Sequence, residues 1–281
     1  MRIQQLLAAG ALALAAFTAP ASAKEWKTVT IVLEGAYAPW NLTNADGTLG
    51  GFEPELAKVL CAHAKLECKL VASDWDSAIP SLTAGKFDAI MDALSITDDR
   101  KKIIAFSVPY AATPATFAVT KESNIKLPDS GKTIRLEGKP TEKSQLTALR
   151  DALKGKTIGI QTATVYAPFI YDNFKDVATI KEYKTSTDRD LDLAAGRIDV
   201  GFDDSTYFQT AFESPENKSL TFAGPSIAGP IWGEGEGVGL RQSDPELKVL
   251  FDGAIKAAIA DGTVKKLSEK WFKMDVTPEQ K

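Results

Sequence analysis

The chain is poor in histidine and cysteine, and its charge is not strongly biased towards either sign. One histidine, His63, and two cysteines occur among 281 residues, so the sequence supplies neither a Ser-His-Asp triad nor a histidine-based metal cluster. The formal net charge is −4, and no basic surface for a nucleic acid is evident. The glycine-rich segment GEGEGVG lacks the GxGxxG spacing of a dinucleotide site. We therefore expect no metal ion, no cofactor and no nucleic-acid partner.

The chain also lacks a hydrophobic run that is long enough for a transmembrane helix. The apolar run at 6–19 follows the early charge of Arg2 and precedes three small residues at 21–23, which is the pattern of a secretory signal peptide. We expect residues 1–23 to be removed. The mature chain would then begin near Lys24 as a soluble protein outside the cytoplasm.

The two cysteines, Cys61 and Cys68, lie close together in the segment CAHAKLEC. In an exported chain this arrangement favours an intrachain disulfide over a metal site, and two unpaired core thiols remain the alternative. A bridge that closes so short a loop is expected to add about 2–3 kcal/mol to the free energy of unfolding.

Two pairs of self-similar segments indicate a duplicated architecture. KTVTI at 27–31 resembles KTIGI at 156–160, and the tripeptide YAP follows each copy at the same distance. AGKFDAIMD, which begins at Ala84, resembles AGRIDVGFD, which begins at Ala195. These repeats predict two lobes of similar construction.

Within each lobe, β-branched runs alternate with amphipathic stretches, which predicts an α/β fold with parallel-type sheets covered by helices. Asp46-Gly47 indicates a hairpin, and the polar segment 126–145 is expected to be a surface excursion. The predicted strands are 28–33, 69–72, 87–91, 157–160 and 198–202, and the predicted helices are 53–64, 77–84, 164–174 and 187–195.

Polar and ionisable residues follow four of these strands. In open parallel sheets, ligands bind beyond the carboxyl ends of the strands, so two facing lobes would line one cleft with both sets. The residues at the strand ends are Glu34, Gly35 and Tyr37, then Asp92 to Ser95 with Thr97 and Arg100, then Gln161, Thr162 and Thr164, and finally Asp203 and Asp204.

The segment DALSITDDRK at 92–101 predicts that Arg100 lies in the first turn of a helix, where the macrodipole disfavours a cation. A guanidinium beside free helix N–H groups and the hydroxyls of Ser95 and Thr97 forms an anion site. An equally weighted alternative pairs Arg100 with Asp98 or Asp99 on a solvated helix that Thr97 caps. The residues alone do not separate these two interpretations.

Motifs along the whole mature chain carry a resemblance to a known family. They are YAPWN, GFEPELAKVLC, DWDSAIPSL, GKFDAI, LSITDDRKKIIAFSVPY, LAAGRIDV, FAGPS, GVGLR and DGTVKKLSEKWF, of which SITDDR is the most specific. The chain resembles the periplasmic solute-binding proteins of polar amino-acid ABC importers, in particular the lysine-arginine-ornithine-, histidine- and opine-binding subgroup.

The resemblance implies a periplasmic binding protein type II fold, in which two lobes are joined by a two-strand hinge and close around a ligand. Lobe 1 would comprise 24–112 and 222–281, and lobe 2 would comprise 113–221. It further implies a monomer in the periplasm that delivers its ligand to the permease of an ABC transporter in the inner membrane.

The resemblance also assigns roles to the two poles of an amino-acid ligand. Arg100 would hold the α-carboxylate, with help from Ser95 and from the loop at Thr164, where Ala163 and Thr164 replace a commoner Gly-Ser or Gly-Thr pair. Asp204 would receive the α-ammonium. The repeat, however, aligns Asp203 rather than Asp204 with the first-lobe acid, and the two aspartates could instead form a helix N-cap.

The side chain of the ligand would lie between the aromatic walls Tyr37 and Trp75, with Glu34 at its distal cation. Asp92 departs from the subgroup pattern and is interpreted as a second acid for a long cationic side chain, with a partner elsewhere as the alternative. The predicted ligand contacts are Glu34, Tyr37, Trp75, Asp92, Ala93, Ser95, Arg100, Gln161, Ala163, Thr164 and Asp204.

These assignments predict a binding protein for a cationic amino acid, namely arginine, lysine, ornithine or histidine, and not an enzyme. An opine such as octopine or nopaline is the alternative ligand. A less favoured alternative is a dehydratase on the same fold, with Glu34 or Asp92 as its proton donor.

Overall fold

A computed structural model describes residues 24–278, so the predicted signal peptide lies outside the described residues. The strands are β1 (Thr28–Leu33), β2 (Ala36–Tyr37), β3 (Asn41–Thr43), β4 (Leu49–Gly50), β5 (Glu67–Ala72), β6 (Ala89–Ile90), β7 (Ala105–Phe106), β8 (Ala115–Thr120), β9 (Thr133–Arg135), β10 (Thr157–Gln161), β11 (Thr179–Tyr183), β12 (Val200–Asp204), β13 (Leu220–Ala228) and β14 (Gly239–Leu240). The α-helices are α1 (Phe52–Ala64), α2 (Ala78–Thr83), α3 (Asp98–Lys101), α4 (Thr147–Ala152), α5 (Tyr166–Phe174), α6 (Ser186–Ala194), α7 (Ser205–Ala211), α8 (Pro245–Ala260) and α9 (Thr263–Phe272). Short 3-10 helices cover Trp75–Ser77, Pro140–Leu146, Pro215–Asn217 and Pro230–Trp232.

The first lobe is built on a five-stranded sheet in the order β5-β1-β6-β14-β7. β1 is parallel to β5 and β6, whereas β14 is antiparallel to β6 and β7. Helix α1 buries Phe52, Leu56 and Leu60, which recur at the spacing of one helix face. Its neighbours are α8 and α9, and β2, β3 and β4 form a small antiparallel sheet around the predicted hairpin.

The second lobe contains a six-stranded sheet in the order β11-β10-β12-β8-β13-β9. β10 is parallel to β11 and β12, and β8 is antiparallel to β12 and β13. The segment 126–145 is not simply a surface excursion, because β9 joins the edge of this sheet and Leu127 and Leu136 are buried. The predicted α/β fold of two similar lobes is confirmed, with mixed rather than purely parallel sheets.

The two crossings between the lobes lie side by side. The chain leaves the first lobe between Ala111 and Ala115, and it returns after β13, whose pairing with β9 continues through Ala228. The return therefore follows the predicted boundary at residue 222, because the whole of β13 belongs to the six-stranded sheet. Glu236, on the returning segment, forms isolated antiparallel bridges with both Ser95 and Ala111.

Cys61 and Cys68 form the predicted disulfide, with their Cα atoms 6.2 Å apart. It ties the last turn of α1 to β5, and the alternative of two free thiols is excluded. Within residues 24–278, no helix has both the length and the apolar character needed to cross a membrane. The same residues contain no group of three or more His, Cys, Asp or Glu side chains that could hold a metal ion.

Candidate ligand-binding cleft

A cavity lies between the lobes. All the predicted contact residues except Ala163 line it, although their role in binding stays a prediction. Its described lining comprises Glu34, Tyr37, Trp75, Asp92, Ala93, Ser95, Arg100, Gln161, Thr164, Val165, Tyr166, Asp204 and Glu236.

The topology of the sheets explains why these residues meet. Glu34 directly follows β1, Asp92 lies just after β6, and Gln161 and Asp204 are the last residues of β10 and β12. Each of these strands runs parallel to a neighbour in its own sheet, so their carboxyl ends lie on the same edge. The edges of the two lobes then face each other across the cavity.

Arg100 reaches the cavity from α3 and is held by backbone oxygens. Its Nη1 donates to the carbonyl of Ser95 at 3.0 Å, and its Nη2 donates to the carbonyl of Ala163, in the other lobe, at 3.2 Å. Ala163 adopts φ = 59°, and its contribution here is this carbonyl rather than a cavity-lining side chain. Thr97 caps α3 by accepting from the Arg100 N–H.

The alternative pairing of Arg100 with neighbouring aspartates is wrong. Asp98 pairs with Lys101 at 3.6 Å, and Asp99 pairs with Lys102 at 2.7 Å. Burial lowers the pKa of Arg100 to about 10, with no carboxylate contribution to offset it. The guanidinium lies 5.4 Å from the ring centroid of Trp75. No carboxylate among the described residues neutralises its charge, so it is able to bind an anion.

Asp203 and Asp204 have different surroundings. Asp203 forms an ion pair with the fully buried Arg189 and accepts a hydrogen bond from the hydroxyl of Tyr37 at 2.6 Å. Asp204 lines the cavity and also caps α7, where its carboxylate accepts from the N–H groups of Thr206 and Tyr207. Asp204 is therefore the aspartate at the cleft, and the N-cap interpretation is correct for the same residue.

Burial raises the pKa of Asp204 to about 6, although hydrogen bonds from Thr113 and Thr206 oppose this rise. The carboxyl group therefore titrates close to neutral pH, and a nearby cation would favour its ionised form.

Glu34 and Asp92 form a second acidic region of the cavity. Burial raises the pKa of Glu34 to about 7, against the hydrogen bond that its Oε1 accepts from Gln161 Nε2 at 2.9 Å. Burial and the neighbouring charges of Glu53 and Glu34 raise the pKa of Asp92 well above its usual range. Asp92 also accepts from Asn41 Nδ2 at 2.8 Å, so it both faces the cavity and has a partner outside it.

The two predicted aromatic walls are both fixed by contacts with the second lobe. Tyr37 stacks on Tyr207 with ring centroids 4.6 Å apart. The indole N–H of Trp75 donates to the carbonyl of Thr162 at 3.1 Å. These contacts, with the Glu34–Gln161 bond, show the lobes in a closed arrangement.

Sequence reasoning missed several residues of this region. Val165 and Tyr166 begin the helix that follows the Thr164 loop, and their place could have been inferred from that loop. Glu53 resembles an ordinary first-turn helix acid, but it is fully buried and accepts from Asn41 and from the Ala93 N–H. Glu236 had no local signal, because its position depends on the pairing of the two crossings.

The ionisable groups that line the cavity are unbalanced. Four carboxyl groups, those of Glu34, Asp92, Asp204 and Glu236, face one guanidinium, that of Arg100. Buried charges are stabilised by opposite charges, so this lining favours a ligand that has one anionic group and a greater positive charge.

Comparison with known proteins agrees with this architecture. The sequence profile of the bacterial extracellular solute-binding proteins, family 3, matches residues 29–274. The octopine-binding periplasmic protein of Rhizobium meliloti is 41% identical, with 99% of this chain and 100% of that protein covered. The L-arginine-binding protein of Pseudomonas aeruginosa is 32% identical, with 98% of each chain covered.

Solved structures give the same result. A periplasmic His/Glu/Gln/Arg/opine family-binding protein from Silicibacter pomeroyi, in complex with lysine, is similar with a TM-score of 0.72 and 31% identity. The match covers 89% of this chain and 100% of that one. This likeness confirms the predicted type II periplasmic binding protein fold.

Proposed function

The chain belongs to family 3 of the bacterial extracellular solute-binding proteins, and we propose that it binds a cationic amino acid for import by an ABC transporter. The supporting observation is the acidic lining of the cavity, in which four carboxyl groups face one guanidinium. Arginine, lysine, ornithine and protonated histidine each have one carboxylate and two positive groups. Such a ligand complements this lining better than a neutral amino acid does.

Each group of the ligand has a counterpart in the cavity. Arg100 binds the α-carboxylate and Asp204 binds the α-ammonium, so each lobe supplies one of these two side chains. Glu34 and Asp92 face the distal cation, and Tyr37 and Trp75 flank the side chain. A cation over the ring face of Trp75 would gain about 0.5–2 kcal/mol of binding free energy.

Binding proceeds by closure of the lobes. The direct bonds between the lobes, such as Glu34–Gln161 and Trp75–Thr162, provide part of the closed interface. A ligand that bridges Arg100 and Asp204 adds contacts that exist only when the lobes meet, so it shifts the population towards the closed state. The monomeric closed protein is the form that the permease of the inner membrane recognises.

The relatives named above are periplasmic or amino-acid-binding by name, and we assign this chain to the periplasm after removal of residues 1–23. We assign no enzymatic activity to it. The absence of product when the pure protein is incubated with arginine or prephenate would support this assignment, and turnover of either compound would contradict it.

An opine is the second candidate ligand, because the octopine-binding protein of Rhizobium meliloti is similar over nearly the whole chain. A thermal-shift screen separates the candidates, since a tight ligand raises the melting temperature with its occupancy of the folded state. The panel comprises arginine, lysine, ornithine, histidine, octopine and nopaline.

Glu34→Gln tests the cation site most directly. Citrulline has nearly the shape of arginine but is neutral, so the two ligands differ chiefly at the group that Glu34 faces. We expect the variant to bind arginine at least about tenfold more weakly, on the order of 1.4 kcal/mol, and citrulline almost unchanged in titration calorimetry. Glu269→Gln, an exposed substitution on α9, is the matched control. Equal losses for both ligands would contradict the role of Glu34.

A further inference from the structure

Glu236 is placed at the cavity by the backbone of the returning crossing. Its N–H donates to the carbonyl of Ala111 at 2.9 Å, and its carbonyl accepts from the N–H of Tyr110 at 2.8 Å. The glycines on both sides are closely enclosed. A Cβ atom at Gly235 would lie 2.5 Å from the Ala111 carbonyl oxygen, and one at Gly237 would lie 2.7 Å from a side-chain carbon of Ile96. The position of Glu236 is therefore fixed from both sides.

The side chain of Glu236 is buried without a full set of partners. The residue is 6% exposed and lines the cavity, and its Oε2 accepts no hydrogen bond from the described residues. None of the lysines or arginines within residues 24–278 forms an ion pair with it. Burying a carboxylate oxygen without a donor is costly, so a group that binds in the cavity would relieve this cost.

The neighbours of Glu236 place it at the amine pole of the proposed ligand. Burial and the charges of Asp204 and Glu53 raise its pKa well above the usual range, against opposing effects of its own backbone and of the nearby Thr113. The Thr113 hydroxyl donates its one proton to Asp204. Tyr110 and Tyr166 are the other titratable side chains that interact with Glu236. Two acids that lie next to one hydroxyl therefore face the same part of the cavity.

The two acids differ in their remaining capacity to accept hydrogen bonds. Asp204 already accepts from two backbone N–H groups of α7 and from the hydroxyls of Thr113 and Thr206. Glu236 has an oxygen with no donor. An ammonium group has several N–H donors, and the free oxygen of Glu236 is the acceptor that lacks one.

We infer that Glu236 is the second acid for the ligand's amine, and that it sets the preference between a free amino acid and a derivative with a carboxyalkyl group on that nitrogen. The inference rests on the proposed function. In an octopine-like ligand the additional carboxylate is attached through one carbon to the amine nitrogen. Binding that nitrogen between Asp204 and Glu236 brings the extra negative charge against both acids, whereas a free amino acid presents only its ammonium there.

Glu236→Gln tests this inference by removing the charge while keeping the shape. We expect calorimetry at pH 8 to show at least tenfold weaker binding of arginine and a smaller loss, or a gain, for octopine. The ratio of the two dissociation constants should therefore shift towards octopine, whichever ligand the native protein binds more tightly. Glu234→Gln is the matched control, because Glu234 lies on the same loop but is exposed and paired with Lys101. It should leave the ratio unchanged.

The melting temperature without ligand gives an independent readout. Since Glu236→Gln removes a buried unpaired acid, the melting temperature should stay equal or rise, and Glu236→Met serves in its place if the glutamine variant does not fold. Parallel changes for arginine and octopine, or an unchanged ratio, would overturn the role of Glu236 alone. A native protein that binds neither ligand nor any other cationic amino acid would overturn the proposed function, and this inference with it.

Discussion

Arg100 and Arg189 are two arginines withdrawn from solvent, and their surroundings are opposite. Arg189, on α6, is fully buried and forms ion pairs with Asp190 at 2.8 Å and with Asp203. Burial lowers the pKa of Arg189, but the two carboxylates outweigh this effect and raise it overall. Within residues 24–278, the guanidinium of Arg100 has only backbone carbonyls within hydrogen-bond reach, and burial lowers its pKa.

The difference separates a structural charge from a binding charge. A buried ion whose partners are supplied by the protein stabilises one arrangement of the fold. A buried ion without a counterion lowers the free energy of unfolding. In this molecule that ion is Arg100, whose guanidinium faces the cavity between the lobes. The same contrast holds for the acids, because Asp203 is paired with Arg189 whereas Glu34 and Glu236 have no cationic partner among the residues that the structure describes.

The largest expected effect is the loss of ligand binding in Arg100→Ala. Two charge-assisted bonds to a carboxylate are worth about 3–6 kcal/mol, which corresponds to a roughly 10²- to 10⁴-fold weaker affinity. The melting temperature without ligand should stay equal or rise, because an uncompensated charge is removed. Calorimetry and thermal unfolding measure the two quantities, and Arg135→Gln, an exposed substitution on β9, is the control. If Arg100→Ala kept its affinity for arginine, the interpretation of Arg100 as the binding charge would be wrong.

The complementary variant, Arg189→Met, should destabilise the fold. It leaves Asp190 and Asp203 buried without their cation, which is expected to lower the free energy of unfolding by about 3–5 kcal/mol. Urea denaturation of the ligand-free protein measures this loss. A change below about 1 kcal/mol would mean that the buried pair is no more important than a surface ion pair.

The smallest expected effect is a dependence on pH that has opposite signs for stability and binding. The pKa values of Glu34 and Asp204 are raised to about 7 and about 6, above those of the unfolded chain. Their contribution to the stability of the free protein is therefore fully present below about pH 4 and is lost as the pH rises through 6 to 7. We expect the melting temperature without ligand to fall over this range.

Arginine binding should strengthen over the same range of pH, because the ligand's cations need ionised carboxylates. The gain is at most about tenfold per pH unit for each group. Calorimetry in buffers of different ionisation enthalpy should detect proton release near pH 6.5, and Glu34→Gln should reduce it. An affinity independent of pH between 5 and 8 would show that these acids are ionised before the ligand arrives.

Much of the cleft could be predicted because its residues follow strands whose hydrophobic pattern is local. Glu34, Asp92, Gln161 and Asp204 were found in this way, since the carboxyl ends of parallel strands converge. The choice between Asp203 and Asp204 was not accessible, because it depends on the ion pair of Asp203 with Arg189, a residue on another element.

The residues that sequence reasoning missed depend on long-range pairing. Glu236 lies in a glycine-rich segment without periodicity, and only its bridges to Ser95 and Ala111 bring it to the cavity. β9 is three residues long at a sheet edge, so it has too little pattern to be distinguished from a loop. Nothing local in the sequence marks where β13 leaves its sheet, so the point at which the chain returns to the first lobe is equally hard to predict.

Two indole rings connect the lobes directly. The N–H of Trp75 donates to the Thr162 carbonyl, and the N–H of Trp40 donates to the Thr206 hydroxyl at 3.0 Å. Any separation of the lobes would break these bonds and let water reach the ring of Trp40, which is now fully buried, and the chain contains only five tryptophans. The intrinsic tryptophan fluorescence should therefore change when the lobes separate, and stopped-flow fluorescence can measure the rate of opening without an attached dye.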